Sequence, residues 1–237
     1  MAMTSTGNEL KTRLGLVRNS IAVAATRAGR NPSDVTLIAV SKTHPVPVLR
    51  EGIQLGIGDF GENRVQEAES KINELGRNAA RWHLIGHLQG NKARKAVQLF
   101  DVIHSIDSSA LVTKLDALSN EMGRDRLEVL IQMDLAGETS KTGANMDELP
   151  EIVDTIRSSA CLQLAGLMTL PPFFEDAEQT RPYFRRLREI RDSLSEQGAF
   201  GTGNGHLSMG MSHDFETAIE EGATMVRVGT ALFGSRG

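Results

Sequence analysis

Short apolar runs rich in β-branched residues recur along this chain, and a stretch with helical spacing separates each from the next. The runs occupy positions 35–40, 57–60, 82–85, 102–106, 127–133, 162–168, 206–209 and 225–229. The intervening segments carry apolar stripes at spacings of three and four. Leu10, Leu14, Val17, Ile21 and Ala25 form one, Val65, Ala68, Ile72 and Leu75 another, and Phe184, Leu187, Ile190 and Leu194 a third. Helices are predicted over 9–28, 46–55, 65–75, 91–100, 109–122, 147–158, 175–197 and 212–221. Asp107-Ser-Ser109 is the predicted cap of the fifth.

Such alternation requires parallel strands joined by helical crossovers. Eight units predict an α/β fold, a single closed (β/α)8 barrel with an extra N-terminal helix, and one domain over 1–237 with its ordered core at about 9–234. Only eight residues follow the last run, so the helix over 9–28 is expected to pack beside the final strand. The rival is an open doubly wound sheet. It would place a glycine-rich nucleotide loop after the first strand, and Ser41-Lys-Thr-His-Pro45 is not one.

Charge narrows the function. Lys+Arg number 26 against 30 Asp+Glu, a net −4, which leaves no basic excess for a phosphate backbone and disfavours nucleic acid. The single cysteine, Cys161, excludes an intramolecular disulfide and reads as a small buried residue in a reducing compartment. The first residues lack the apolar core of a signal peptide, and no apolar run is long enough to span a bilayer. A soluble cytoplasmic protein is expected.

Lys42 closes the first run, and Pro45 and Pro47 force a turn just beyond it. Burial disfavours the charged form of a lysine, which leaves its amine a usable nucleophile toward an aldehyde. The alternative is a side chain that reaches past the strand end into solvent. Barrel sites form at the C-terminal ends of the strands, with phosphate near the last two loops. There Leu207-Ser-Met-Gly-Met-Ser212 is expected to open a helix whose N-terminus binds an anion, with Gly210 allowing close approach and Ser208 and Ser212 adding hydroxyls. Gly229 and Thr230 complete the cup. A tight turn capped by Ser212 would look the same. Arg227 lies between Val226 and Val228 and therefore points inward. A buried guanidinium needs a partner, either a core carboxylate or a ligand acceptor such as a ring nitrogen. Lysine, phosphate cup and inward arginine together point to pyridoxal 5′-phosphate, held as a Schiff base with Arg227 at the pyridine nitrogen.

The motifs Ala39-Val-Ser-Lys42, Phe60-Gly-Glu-Asn-Arg64, Trp82-His-Leu-Ile-Gly-His-Leu-Gln89, Gly166-Leu-Met168, Leu207-Ser-Met-Gly-Met-Ser212 and Val226-Arg-Val-Gly-Thr230 occur in that order. Through them the chain resembles the pyridoxal-phosphate homeostasis protein family, from about Leu10 to Gly234. The resemblance implies a monomeric barrel similar to the cofactor domain of alanine racemases. It implies a role in vitamin B6 and amino-acid homeostasis without established catalysis. It also implies Lys42 as the Schiff-base lysine, Arg227 beside the pyridine nitrogen, and Ser208, Gly210, Ser212, Gly229 and Thr230 around the phosphate. Asn63 falls near the ring. Met168 and Met211 belong to the same motifs and are expected in the site, and the strand over 82–85 leads His83 toward the same face.

An arginine at the pyridine nitrogen disfavours its protonation and weakens the ring as an electron sink. Racemases of this type also need a second acid/base group, and the only tyrosine here is Tyr183. The expectation is a carrier or reservoir, with apo pyridoxal-phosphate enzymes as candidate partners. An amino-acid racemase is the enzymatic alternative, and a cofactor-sensing interaction protein a third reading. His83, His87 and His104 could meet, but no zinc-ligand spacing accompanies them, and hydrogen-bonded core or rim histidines are expected. Gly137-Glu-Thr-Ser-Lys-Thr-Gly143 lacks P-loop spacing and reads as a loop after strand five, with Lys141 solvated.

Overall fold

The computed structural model of the chain describes residues 5–137 and 143–234. The segments 1–4, 138–142 and 235–237, and with them the expectation for Lys141, lie outside the described residues. Eight parallel strands close into a barrel in chain order. They are β1 (Thr36–Val40), β2 (Asp59–Glu62), β3 (Arg81–Leu84), β4 (Val102–Ile106), β5 (Leu127–Met133), β6 (Leu162–Thr169), β7 (His206–Met211) and β8 (Met225–Val228). Closure comes from β8 pairing with β1, where Ile38 lies beside Arg227 and Ala39 beside Val228. Around the barrel run α1 (Ser5–Arg27), α2 (Val46–Gln54), α3 (Val65–Leu75), α4 (Ala93–Leu99), α5 (Ser109–Glu121), α6 (Leu149–Arg157), α7 (Arg181–Glu196), α8 (Phe215–Glu220) and α9 (Thr230–Phe233).

Each strand is buried on both faces, which is why the runs read as continuously apolar. One face, including Ala39, Phe60, Trp82 and Ile103, packs under the helices. The other fills the lumen with Ile38, Val102, Leu130, Ala165, Met168 and Met225. The lumen is therefore a packed core, with room for chemistry only at its ends.

Helix ends follow side-chain chemistry. Ser108 caps α5 by accepting the Leu111 N–H at 3.4 Å. The long helix expected over 175–197 starts later than its periodicity suggests. Asp176 caps a 3-10 turn at Ala177–Thr180, and Pro182, which has no N–H to offer, sits in the first turn of α7. The helix expected over 212–221 shrinks to α8. Helix α1 closes the ring as expected. Arg13 donates to the Phe233 carbonyl at 3.1 Å, Arg30 to those of Ile219 and Ala223 at 2.9 and 2.8 Å, and Arg27 pairs with Glu220 at 2.7 Å. These bonds fasten α1 and the turn that follows it to α8, α9 and the turn before β8. Among the described residues no helix is long and apolar enough to cross a membrane. Cys161 is a free, buried thiol.

Candidate functional site

The C-terminal ends of β1 and β8 lie side by side, so Lys42 and the Gly229-Thr230 turn share one mouth of the barrel. Ile38 faces the lumen and Ala39 the helices. That alternation continues through Val40 and Ser41 and puts half-buried Lys42 on the lumen side. Its neighbours are held from outside the barrel wall. Ser41 is fully buried. Its N–H donates to the Gly61 carbonyl at 3.0 Å and its hydroxyl to Glu62 Oε1 at 2.6 Å, while its carbonyl accepts from Lys71 Nζ at 2.7 Å. Lys71, on α3, also donates to Glu62 at 2.7 Å and Glu67 at 2.6 Å. Glu67 in turn accepts the N–H of Thr43. Thr43 is the one described residue other than glycine with a positive φ, 67°. For a β-branched residue this left-handed backbone costs about 1–3 kcal/mol and persists only where its surroundings enforce it. Burial pushes the Glu62 carboxyl above its usual range, with Lys71 opposing. Burial acts the same way on Glu67, but Lys71 and the Thr43 N–H outweigh it and hold that carboxyl below its usual range.

Arg227 is 3% exposed and points into the lumen. It donates to Ser208 Oγ at 2.6 Å and to the carbonyl of Thr169, the last residue of β6, at 2.8 Å. The guanidinium therefore lies at the same mouth as Lys42. Both of those partners are neutral, and no carboxylate among the described residues forms an ion pair with it. Burial lowers its pKa to about 10, with the more distant Asp214 opposing, so it stays charged at neutral pH.

Behind Arg227 a line of hydrogen bonds crosses the lumen. Ser208 Oγ lies 2.9 Å from His104 Nδ1, His104 Nε2 lies 2.9 Å from His83 Nδ1, and His83 Nε2 lies 2.9 Å from Asp59 Oδ1. Asp59 is the first residue of β2, at the opposite mouth. The two ends fix the direction. Arginine can only donate and a carboxylate can only accept. With both histidines neutral, each link then has one donor: Arg227 to Ser208, Ser208 to His104, His104 to His83, and His83 to Asp59. Both rings carry their proton on Nε2. Burial pulls His83 below the usual imidazole range, and it pulls His104 well below, where the charge of Arg227 adds to the effect.

Side-chain to backbone bonds shape the last two loops. Asp214, the residue before α8, accepts the Met211 N–H from the end of β7 at 2.6 Å and makes no side-chain bond to the helix itself. Ser212 bridges to the turn after β8 that opens α9, where its Oγ accepts the N–H groups of Gly229 at 3.1 Å and Ala231 at 3.3 Å. Gly210, with φ of 89°, has no room for a side chain. An added Cβ would sit 2.6 Å from the Cβ of Ala218. Met211 and Thr230 are exposed at the mouth.

Lys42, Met211, Ser212, Arg227, Gly229 and Thr230 are thus brought to one end. Asn63, just past β2, joins them and is half-buried. Its backbone passes so close to Gly86 that a Cβ there would lie 2.3 Å from its carbonyl oxygen. Ser208, His83 and Met168 lie deeper, each fully buried. The Ser208 hydroxyl is engaged by Arg227 and His104, and Met168 packs in the lumen core. His87 stands apart, 3.3 Å from Asp107. Among the described residues no three metal-ligating side chains converge. Tyr183 stacks its ring on Phe174.

Sequence reasoning missed Lys71, Glu67 and Asp59. A signal for the first two was present. Lys71 falls three residues after Ala68 and beside Ile72, on the apolar stripe of α3, where a lysine needs a partner, and Glu67 lies four residues before it.

Residues 13–237 match the family described as "Alanine racemase, N-terminal domain". The pyridoxal phosphate homeostasis protein of Aquifex aeolicus is 43% identical over 226 residues, covering 94% of this chain and 97% of its own. That of Escherichia coli K12 is 41% identical over 236 residues, covering 97% of each. The solved structure of PipY from Synechococcus elongatus with PLP bound superposes with a TM-score of 0.82 at 39% identity, over 95% of this chain and 100% of that one. An alanine racemase from Clostridium difficile shares the fold, with a TM-score of 0.76 at 17% identity, and this chain covers 57% of it.

Proposed function

From the premise that this chain belongs to the pyridoxal phosphate homeostasis protein family, we propose that it binds pyridoxal 5′-phosphate and serves the cell as a carrier or reservoir of it. The observation that carries this reading is Arg227. A buried cation satisfied only by neutral oxygens, beside a lysine-bearing strand end, asks for an electron-rich acceptor from outside the chain. A pyridine nitrogen is such an acceptor. The Ser212 hydroxyl, Gly229 and Thr230 would receive the phosphate, and Asn63 would flank the ring, while Gly210, expected there too, serves instead to let β7 pack closely on α8. Ser208, His83 and Met168 would act from beneath. When bound, pyridoxal phosphate supplies an aldehyde carbon that bonds to a lysine Nζ with loss of one water.

Arg227, charged at neutral pH, would hold the ring nitrogen unprotonated, because two positive charges repel. That makes the ring a poor electron sink and favours retention over turnover. We read the protein as a non-catalytic monomer of the cytoplasm, a single barrel that hands its cargo to apo enzymes. Visible absorbance tests the binding. Soaking the purified protein in pyridoxal phosphate is expected to yield a band that Lys42→Ala lacks, whereas a colourless wild type overturns the reading. Optical rotation with L-alanine tests the carrier role, since rapid inversion would make the protein a racemase.

A further inference from the structure

Helix α3 carries a buried ammonium that the binding reading does not use. Lys71 is 5% exposed, and its donors go to Glu62, to Glu67 and to the carbonyl of Ser41. Buried ion clusters of this kind add little net stability over apolar replacements, so what the cluster holds is more telling than its strength. It holds both neighbours of Lys42. Ser41 is bound directly through its carbonyl and, through Glu62, by its hydroxyl. Thr43 is bound through Glu67, which accepts its N–H and keeps it at a φ that threonine avoids. That left-handed residue turns the chain immediately after Lys42, in the space of one residue, toward α2.

We propose that Lys71 is a positioning residue for Lys42: one buried ammonium, with Glu62 and Glu67, clamps the backbone on either side and keeps the amine aimed into the mouth of the barrel. The inference rests on the reading of Lys42 as the reacting amine. Without the clamp Thr43 relaxes to negative φ and the direction of Lys42 is no longer fixed. The rigidity lies in the local bonds, so the barrel itself should not need it.

The test has two readouts, one of which involves no cofactor. The double variant Lys71→Met/Glu62→Gln removes the ammonium without leaving a carboxylate buried alone. In the unliganded protein, amide hydrogen exchange at Thr43 is expected to rise about tenfold or more, while the amides of β1 to β8 stay protected. With pyridoxal phosphate added, the rate at which borohydride traps it on Lys42 is expected to fall about tenfold. Adding Thr43→Gly to the double variant should restore most of the trapping rate, because glycine adopts positive φ unaided. Should the double variant fail to fold, Glu67→Ala releases Thr43 alone, and the same pair of changes and the same rescue are expected. Unchanged exchange at Thr43, or a slowed reaction that Thr43→Gly does not rescue, overturns the proposal. A wild type that takes no label while its Thr43 amide is protected sinks the binding reading and leaves the clamp standing.

Discussion

The two cations of the candidate site, Lys42 and Arg227, are supported in opposite ways. Outside the wall, Lys42 is flanked by Ser41, whose carbonyl Lys71 holds at 2.7 Å, and by Thr43, whose N–H Glu67 accepts, both through charge-assisted bonds. Inside, Arg227 rests on a serine hydroxyl, a carbonyl and two neutral histidines. The difference follows from what each support must do. The outer one must hold a threonine in a conformation it resists, which calls for strong bonds. The inner one must orient a cation without neutralising it. A carboxylate in place of Ser208 would bind the guanidinium at both prongs and remove its demand for a ligand. Neutral groups in direct contact fix its place and leave it without an ion-pair partner, the carboxylate of Asp59 lying at the far end of the line.

The contrast can be broken from either side. Lys71→Met alone leaves Glu62, whose Oε2 already lacks a partner, as an uncompensated buried carboxyl. Urea unfolding should show a loss of about 3–5 kcal/mol, most of it recovered by adding Glu62→Gln. Ser208→Ala removes the acceptor of one Arg227 N–H and the donor to His104, for a loss of about 1–3 kcal/mol and weaker retention of pyridoxal phosphate in equilibrium dialysis.

The pH response sharpens the comparison. His83 and His104 are held below the ordinary value of 6.5, so on acidification the unfolded chain takes up protons first. Stability is therefore full above about pH 6.5 and falls as pH drops below it, by up to about 1.4 kcal/mol per pH unit for each histidine. Glu62 has the opposite sign. Its raised folded value means that its contribution is present at low pH and is lost as pH rises from the ordinary carboxylate range through that raised value. Unfolding curves for His83→Gln and Glu62→Gln should separate the two slopes. The smallest effect is a spectral one. Nitrogen-15 shifts of His83 and His104 should report two neutral rings protonated at Nε2, and a ring protonated at Nδ1 would contradict the direction of the line.

The fold was legible because each strand lies under helices on one face and in a filled lumen on the other, which leaves a continuous apolar run to read. Lys42 and Arg227 stood out as charges at the end of, or within, such runs. Boundaries slipped where side chains compete for backbone, as Asp176 does in the 3-10 turn ahead of α7. The supports were hidden for another reason. Ser208 is expected from the sequence beside Ser212 at the phosphate, and only the folded barrel shows its hydroxyl beneath the arginine. Lys71 resembles any helix-surface lysine unless its place on the apolar stripe is noticed. Nothing in the sequence pairs Asp59 with His83, because that contact needs the barrel closed.

Peptide mapping after hydride trapping tests the central claim most directly. Protein equilibrated with pyridoxal phosphate and reduced with borohydride should carry one pyridoxyl group, on the peptide that contains Lys42. A reduced protein of unchanged mass, or label scattered over surface lysines with Lys42 untouched, would contradict it.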